Sequence, residues 1–162
     1  MPFTIKIADI NEPEIDLHLR QLVKEANNAR DLLPEKFLLT NLNSGASRKS
    51  FFLTAVEDGQ IIGCNAFLAN DFIVNGLDHT GYQSCWTATH PQHQGKKVFS
   101  TIINEAKDML KQEGAGFIYG IANNNSNPIF IKRLGFRETD TVVLRIPNLP
   151  GYRNSYFSDK AF

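Results

Sequence analysis

A chain of 162 residues is the size of one ordinary domain and can bury a core without disulfides or metals, so we expect a single domain over residues 1–162. Seventeen Lys and Arg residues balance seventeen Asp and Glu residues, so no global field draws the protein to nucleic acid or an anionic membrane, and any anion it binds must meet a local site. The first residues lack the basic and apolar regions of a signal peptide, and no apolar run approaches ~18 residues; the expectation is a cytoplasmic protein with neither a membrane nor a nucleic-acid partner.

Cys64 and Cys85 fall inside apolar strand patterns, where cysteine behaves as a small hydrophobe, and are expected as reduced thiols in adjacent strands. His18, His79, His90 and His93 show no ligand spacing, so no metal is expected.

Residues 3–7 alternate as a half-buried strand does, and Asn11 followed by Pro13 signals a helix start, with Ile15, Leu19, Leu22, Val23 and Ala26 as its buried stripe. A shorter helix is predicted to open at Pro34 and run through Phe37, Leu38 and Leu42 into residues 43–50, a turn-forming stretch expected near a substrate entrance. Three strand patterns follow at residues 51–56, 61–67 and 72–74, separated by Asp58-Gly59 and by Asn70-Asp71. Asn75-Gly76 is the strongest short hairpin signal, because a type I′ turn needs positive φ at both central residues. It turns the chain into a long strand over residues 77–89.

From Lys97 onward Val98, Phe99, Ile102, Ile103, Ala106, Met109 and Leu110 recur at helical spacing up to Gly114. Residues 117–121 read as a short buried strand. An Asn-rich turn over residues 123–126 precedes a helix closed by Gly135, with Phe136 packing back, and a last strand is expected at 139–146 before an aromatic tail that can add another. The order of elements defines a mixed α/β domain.

The segment QSCWTATHPQHQGKKVFSTIINEAKDML takes a strand through a polar loop directly into an amphipathic helix. Such a junction presents backbone N–H groups and the positive end of a helix dipole, a site for phosphate oxygens. Lys96 and Lys97 oppose that dipole at a cost of roughly 0.3–1 kcal/mol unless an anion is bound. The alternative is a solvated loop with a basic helix start.

TATHPQHQGKKVFSTII resembles motif A of the GNAT acetyltransferases, whose Gln/Arg-x-x-Gly-x-Gly/Ala loop cradles the coenzyme A pyrophosphate; Gln94 takes the first position of that loop. IANNNSNPIFIKRLGF is similar to the family's motif B, an asparagine after a strand, a short helix, then Leu-Gly-Phe. The hairpin at Asn75-Gly76 also resembles that of a GNAT subgroup. The resemblance implies a central mixed, mostly antiparallel sheet of six to seven strands flanked by about four helices. A splayed parallel strand pair forms its cofactor cleft, and acetyl-coenzyme A (acetyl-CoA) is the co-substrate. It further implies a cofactor site made by Thr87, Ala88, Thr89, Gln94, Gly95, Lys96, Lys97, Val98, Phe99, Ser100, Asn125 and Phe130. Asn125 and Ser126 are equally readable as simple helix caps. Lys97 stands where the family has glycine, and Phe99 where it has glycine or alanine; if residue 97 needs positive φ, its side chain costs roughly 1 kcal/mol or more.

Acyl transfer from a thioester to an amine needs a neutral amine and a polarised carbonyl. The resemblance puts Gln83 where many GNAT enzymes have a glutamate base, and Ile131 where they have a tyrosine acid. Asp78, His79 and Tyr119 remain as candidates, although residues of each kind are more often ordinary surface or core residues. Backbone N–H groups at residues 87–89 can polarise the thioester without them. The leading expectation is an N-acetyltransferase acting on a small-molecule primary amine, with amino sugars suggested by analogy, as a monomer or homodimer. Gln83, Ile131 and Lys97 together motivate the alternative, a non-catalytic acyl-CoA-binding module. A nucleic-acid-binding role for Lys96 and Lys97 is disfavoured by the small basic cluster.

Overall fold

The computed structural model describes residues 2–42, 45–122 and 126–139. Its strands are β1 (Thr4–Ile7), β2 (Phe51–Glu57), β3 (Gln60–Val74), β4 (Leu77–Thr89) and β5 (Phe117–Gly120), and its helices α1 (Pro13–Ala26), α2 (Phe37–Leu42), α3 (Val98–Gln112) and α4 (Asn127–Leu134). The strands form one sheet in the order β1-β2-β3-β4-β5. Every pair is antiparallel except β4 with β5, which α3 connects as a crossover.

Two hydrophobic layers sandwich the sheet. On one face Ile102, Ile103 and Ala106 of α3 and Phe130 and Leu134 of α4 pack with Leu53, Phe67 and Tyr82. On the other, Leu19 and Leu22 of α1 and Leu38 of α2 pack with Phe52, Cys64, Ala66 and Ala88. The strand alternation of the β2–β3–β4 segment supplies both faces, because successive side chains point to opposite sides.

The hairpin turns carry the positive φ that their residues signal: Asp58 49° and Gly59 80°, then Asn75 54° and Gly76 77°. Gly135 takes φ 69°, and the Phe136 amide returns to the Phe130 carbonyl at 3.0 Å with the two rings 4.9 Å apart.

Three expectations are corrected. The strands expected at 61–67 and 72–74 are one strand, because Asn70 and Asp71 stay in the ladder opposite Gly81 and Thr80. Their side chains bond laterally instead of closing a turn: Asn70 Nδ2 donates to Tyr119 Oη, and Asp71 accepts from Ser47 and Thr80. The second helix starts at Phe37 and not at Pro34, since Lys36 has φ 59° and a left-handed residue cannot lie inside an α-helix. The described sheet has five strands, not six to seven. The merger removes one, and the strand expected at 139–146 and the tail beyond it lie outside the described residues.

Gly63 fixes the depth at which α3 sits. A Cβ there would run into Val98 Cγ1 and come within 3.6 Å of Ile102 Cδ1, so the bare backbone lets the first turn of the helix rest directly on β3.

On α1 the buried Arg20 Nε donates to Asp16 Oδ2 at 2.7 Å, and Arg20 Nη1 reaches the Leu33 carbonyl at 3.0 Å, tying the α1–α2 connection to the helix. Asp16 Oδ1 has no partner among the described residues. Removing one member of such a pair leaves the other charge buried, whereas replacing both with apolar groups does not. Arg20→Met should therefore lose about 3–5 kcal/mol in urea unfolding, with Asp16→Leu/Arg20→Met recovering most of it; equal losses in both proteins would contradict this.

Candidate active site

Pairing between β4 and β5 runs from Gly81–Phe117 to Ser84–Gly120 and stops there. β4 continues to Thr89, while the chain after Gly120 leaves with Ile121 91% exposed. Cys85, Trp86, Thr87, Ala88 and Thr89 thus face an opening where a fifth-strand partner would stand, and their backbone groups on that side require a partner from elsewhere.

The opening leads to the phosphate-loop candidate. His90 starts a single 3-10 turn, Pro91–His93, its Nδ1 accepting from the Gln92 amide at 3.3 Å. His90 Nε2 faces Glu25 Oε2 of α1 at 3.7 Å, and His93 Nδ1 faces Glu57 Oε2 of β2 at 3.2 Å and Lys96 Nζ at 3.4 Å. These contacts moor the loop to both neighbouring elements. Gly95 then takes φ 80°, with open space where a Cβ would stand.

Lys97 is the N-cap of α3 with φ 63° and ψ 16°, and its side chain makes no capping bond. The condition set by the sequence is met: a lysine occupies a left-handed position. Its carbonyl accepts from the Thr101 amide, Ser100 Oγ and Thr101 Oγ1, so the hydroxyls of the first turn are engaged backwards. The amides of Val98, Phe99 and Ser100 are the ones that an anion can take.

Val98 is buried against the sheet, and Phe99 packs edge-to-face on the buried Phe130 with ring centroids 5.3 Å apart. These three side chains therefore bear on the site through core packing. Asn125 lies outside the described residues.

Gln83 sits one residue before the point where pairing ends, in register with Leu68 of β3 and Tyr119 of β5. Tyr82 points into the α3 layer, so Gln83 and Cys85 face the α1 side by strand alternation. Burial first, and Cys85 nearby second, push the Tyr119 phenol above the ordinary tyrosine value. Its oxygen accepts from Asn70 Nδ2 at 3.1 Å, leaving its proton available. Burial pushes the Cys85 thiol up to about 12, so it is not a thiolate nucleophile near neutral pH.

Asp78 and His79 lie opposite Ile73 and Phe72 near the hairpin tip. At ~3.3 Å per residue, His79 is roughly 17 Å along β4 from Ser84. The structure does not bring either residue to the opening.

The local sequence pattern does not single out Asn65, Ser84 or the bulge at Trp86. Trp86 has φ 45°, and the β3–β4 register shifts between Cys64 and Ala66, so an extra β4 residue is accommodated there. A lone asparagine within the apolar run IIGCNAFLA was the available signal.

Residues 31–139 match the family described as the acetyltransferase (GNAT) domain, and the chain belongs to the GNAT acetyltransferases. It is an acyltransferase that uses acetyl-CoA. The fold is shared with solved structures at low identity. One is an aminoglycoside acetyltransferase from an uncultured soil metagenomic sample in complex with sisomicin (12% identity, TM-score 0.70, 91% of this chain and 97% of that one). Another is a predicted acetyltransferase from Clostridium acetobutylicum with acetyl-CoA (17%, 0.67, 89% and 96%). A third is glucosamine-6-phosphate N-acetyltransferase from Arabidopsis thaliana (9%, 0.67, 91% and 100%). No curated protein matches by sequence. Among the described residues no helix is long and apolar enough to cross a membrane, and no group of three or more His, Cys, Asp and Glu side chains could hold a metal ion.

Left-handed backbone at a non-glycine costs about 1 kcal/mol or more. Lys97→Gly should therefore raise stability by about 1 kcal/mol in urea unfolding while lowering coenzyme A affinity several-fold in calorimetry, because an ammonium beside the loop is lost. Unchanged affinity would remove Lys97 from the phosphate site.

Proposed function

We propose that this acetyltransferase acetylates the primary amine of a small molecule of the amino-sugar class, holding acetyl-CoA in the β4–β5 opening. The carrying observation is that parallel pairing ends at Ser84–Gly120 on the side of β4 that leads to the uncapped start of α3. An extended arm with amide groups fits the unpaired β4 edge, and a pyrophosphate fits the amides of Val98, Phe99 and Ser100 with Gln94, Gly95, Lys96 and Lys97 around them. When bound there, acetyl-CoA supplies an activated thioester.

The chain's own groups then divide the work. The backbone N–H groups of Thr87 and Thr89, on the side away from β3, polarise the carbonyl, while the Ala88 N–H is turned to Cys64 of β3. Gln83, whose amide has no hydrogen-bond partner among the described residues, orients the acceptor or a water, since an amide cannot take the amine's proton. Tyr119 is protonated, with its oxygen held by Asn70, and is the group able to give a proton to the departing sulfur, the proton that the attacking nitrogen sheds passing to water and from there restoring the phenol. The amino-sugar class is favoured by analogy with the similarly folded aminoglycoside and glucosamine-6-phosphate acetyltransferases.

The test is acetyl-CoA-dependent thiol release across amino sugars, aminoglycosides and peptide N-termini. Turnover of peptides alone would defeat the substrate class. With an accepted amine, Tyr119→Phe should lower kcat about 10- to 100-fold with the KM for acetyl-CoA little changed, the scale of one general acid. Because its pKa is raised, Tyr119 stays protonated through neutrality, so its contribution should be lost only in alkali above the ordinary tyrosine range; a wild-type rate that loses the Tyr119 contribution near neutrality would assign the proton elsewhere.

A further inference from the structure

β3 places two adjacent residues, Cys64 and Asn65, against the bulge from opposite faces. Asn65 is completely buried. Its Oδ1 accepts from Ser84 Oγ at 3.1 Å and from the Thr87 hydroxyl, the residues that flank the bulge, and its Nδ2 donates to the Ala66 carbonyl at 2.8 Å. From the other face the Cys64 thiol donates to the Trp86 carbonyl at 3.6 Å. Between these grips Trp86 holds φ 45°, a conformation that a bulky side chain adopts only when its surroundings impose it. Its ring is fixed on Phe52 and Phe37, with centroids 6.1 and 6.0 Å away.

The bulge begins where β4 loses β5: Ser84 is the last residue paired to β5, and Thr87 begins the Thr87–Thr89 stretch that borders the opening. A buried asparagine that receives hydroxyls from both sides of the extra residue sets where the amides of that stretch point. We propose that Asn65 is a positioning residue for acyl transfer. By bridging Ser84 and Thr87 it holds the bulge in the one shape that aims the Thr87–Thr89 backbone at the thioester carbonyl. This rests on the proposed placement of acetyl-CoA in the β4–β5 opening. The hydroxyl protons of Ser84 and Thr87 are committed to Asn65, so neither side chain is a proton donor to the reaction.

Two readouts separate this proposal from the reading beneath it. The chain has a single tryptophan, so the emission of Trp86 reports the bulge without any ligand. The ratio of coenzyme A to acetyl-CoA dissociation constants reports the grip on the acetyl group without any acceptor. Asn65→Leu and Thr87→Val should each shift the Trp86 emission and reduce the wild-type preference for acetyl-CoA at least fivefold, with coenzyme A affinity within twofold. The double variant should do no worse than either single one. Asn65→Asp, which keeps the acceptor oxygens, should restore much of the preference. Leu110→Ala, buried at the far end of α3, serves as a control for lost stability alone and should leave both readouts unmoved.

If Asn65→Leu fails to fold, Thr87→Val and Ser84→Ala carry the same test from the donor side. Emission and ligand ratio unchanged in the hydroxyl variants, or changed equally in Leu110→Ala, would overturn the positioning role. Wild-type protein that binds neither coenzyme A nor acetyl-CoA would instead defeat the proposed site, and the positioning role with it, while emission shifts confined to the clip variants would still distinguish that failure from a bulge that Asn65 does not hold.

Discussion

A backbone N–H or C=O withdrawn from water must find a partner, and along β4 that requirement is met by strands on both sides from Gly81 to Ser84 and on one side only beyond it. The consequence is directional. A parallel strand pair that separates presents donors and acceptors at strand spacing to whatever enters, and an extended, amide-bearing chain answers that pattern where an aliphatic chain cannot. The opening therefore selects the shape of its occupant before any side chain takes part. The antiparallel β2–β3–β4 portion is the frame that holds β4, bulge included, after its other neighbour has gone.

The second constraint is where α3 begins. Its first turn is pressed onto the sheet because Gly63 has no side chain to hold Val98 away, and the left-handed Lys97 turns the chain sharply into the helix. The strain at Lys97 and the positive charge placed against the helix dipole are both local costs. An anion at the same spot offsets the second directly, and the moorings of His90 to Glu25 and His93 to Glu57 keep the loop from relaxing away from the first.

Much of this was legible in the residues. The hairpins were readable because Asp58-Gly59 and Asn75-Gly76 name their own φ values, and α3 because a strong apolar stripe and a terminal glycine agree. The same local reasoning failed at Asn70-Asp71, where two turn-forming residues sit inside a strand. Their side chains are satisfied by Tyr119, Ser47 and Thr80, which are 49, 24 and 9 residues away respectively, and no short window along the chain contains the first two. The loop of the candidate site was visible through its glycine and lysines. The inner wall was not, since Asn65 and Thr87 are 22 residues apart and become a unit only through strand pairing. Asp78 and His79 are titratable groups on the same strand, and the register puts them at the hairpin end of β4, away from the opening.

The two sides of the opening differ in what they can do with a proton. On the α3 side, Ser84 and Thr87 point their hydroxyl protons into Asn65, so that wall is polar yet unable to donate. On the α1 side, Cys85 is a thiol held far from ionisation by burial, and Gln83 neither gains nor loses a proton. Tyr119 alone combines a raised pKa with an oxygen already accepting from Asn70. Under the proposed reaction this asymmetry explains how a site without the glutamate and tyrosine expected at positions 83 and 131 can still function. A thiol is a good leaving group, so a weak, correctly placed acid suffices on departure, and an amine that reaches the cleft already neutral needs orientation more than a base. The chemistry then depends chiefly on how accurately the backbone after the bulge is aimed, which is why the buried polar contacts between β3 and β4 matter as much as any group facing the substrate.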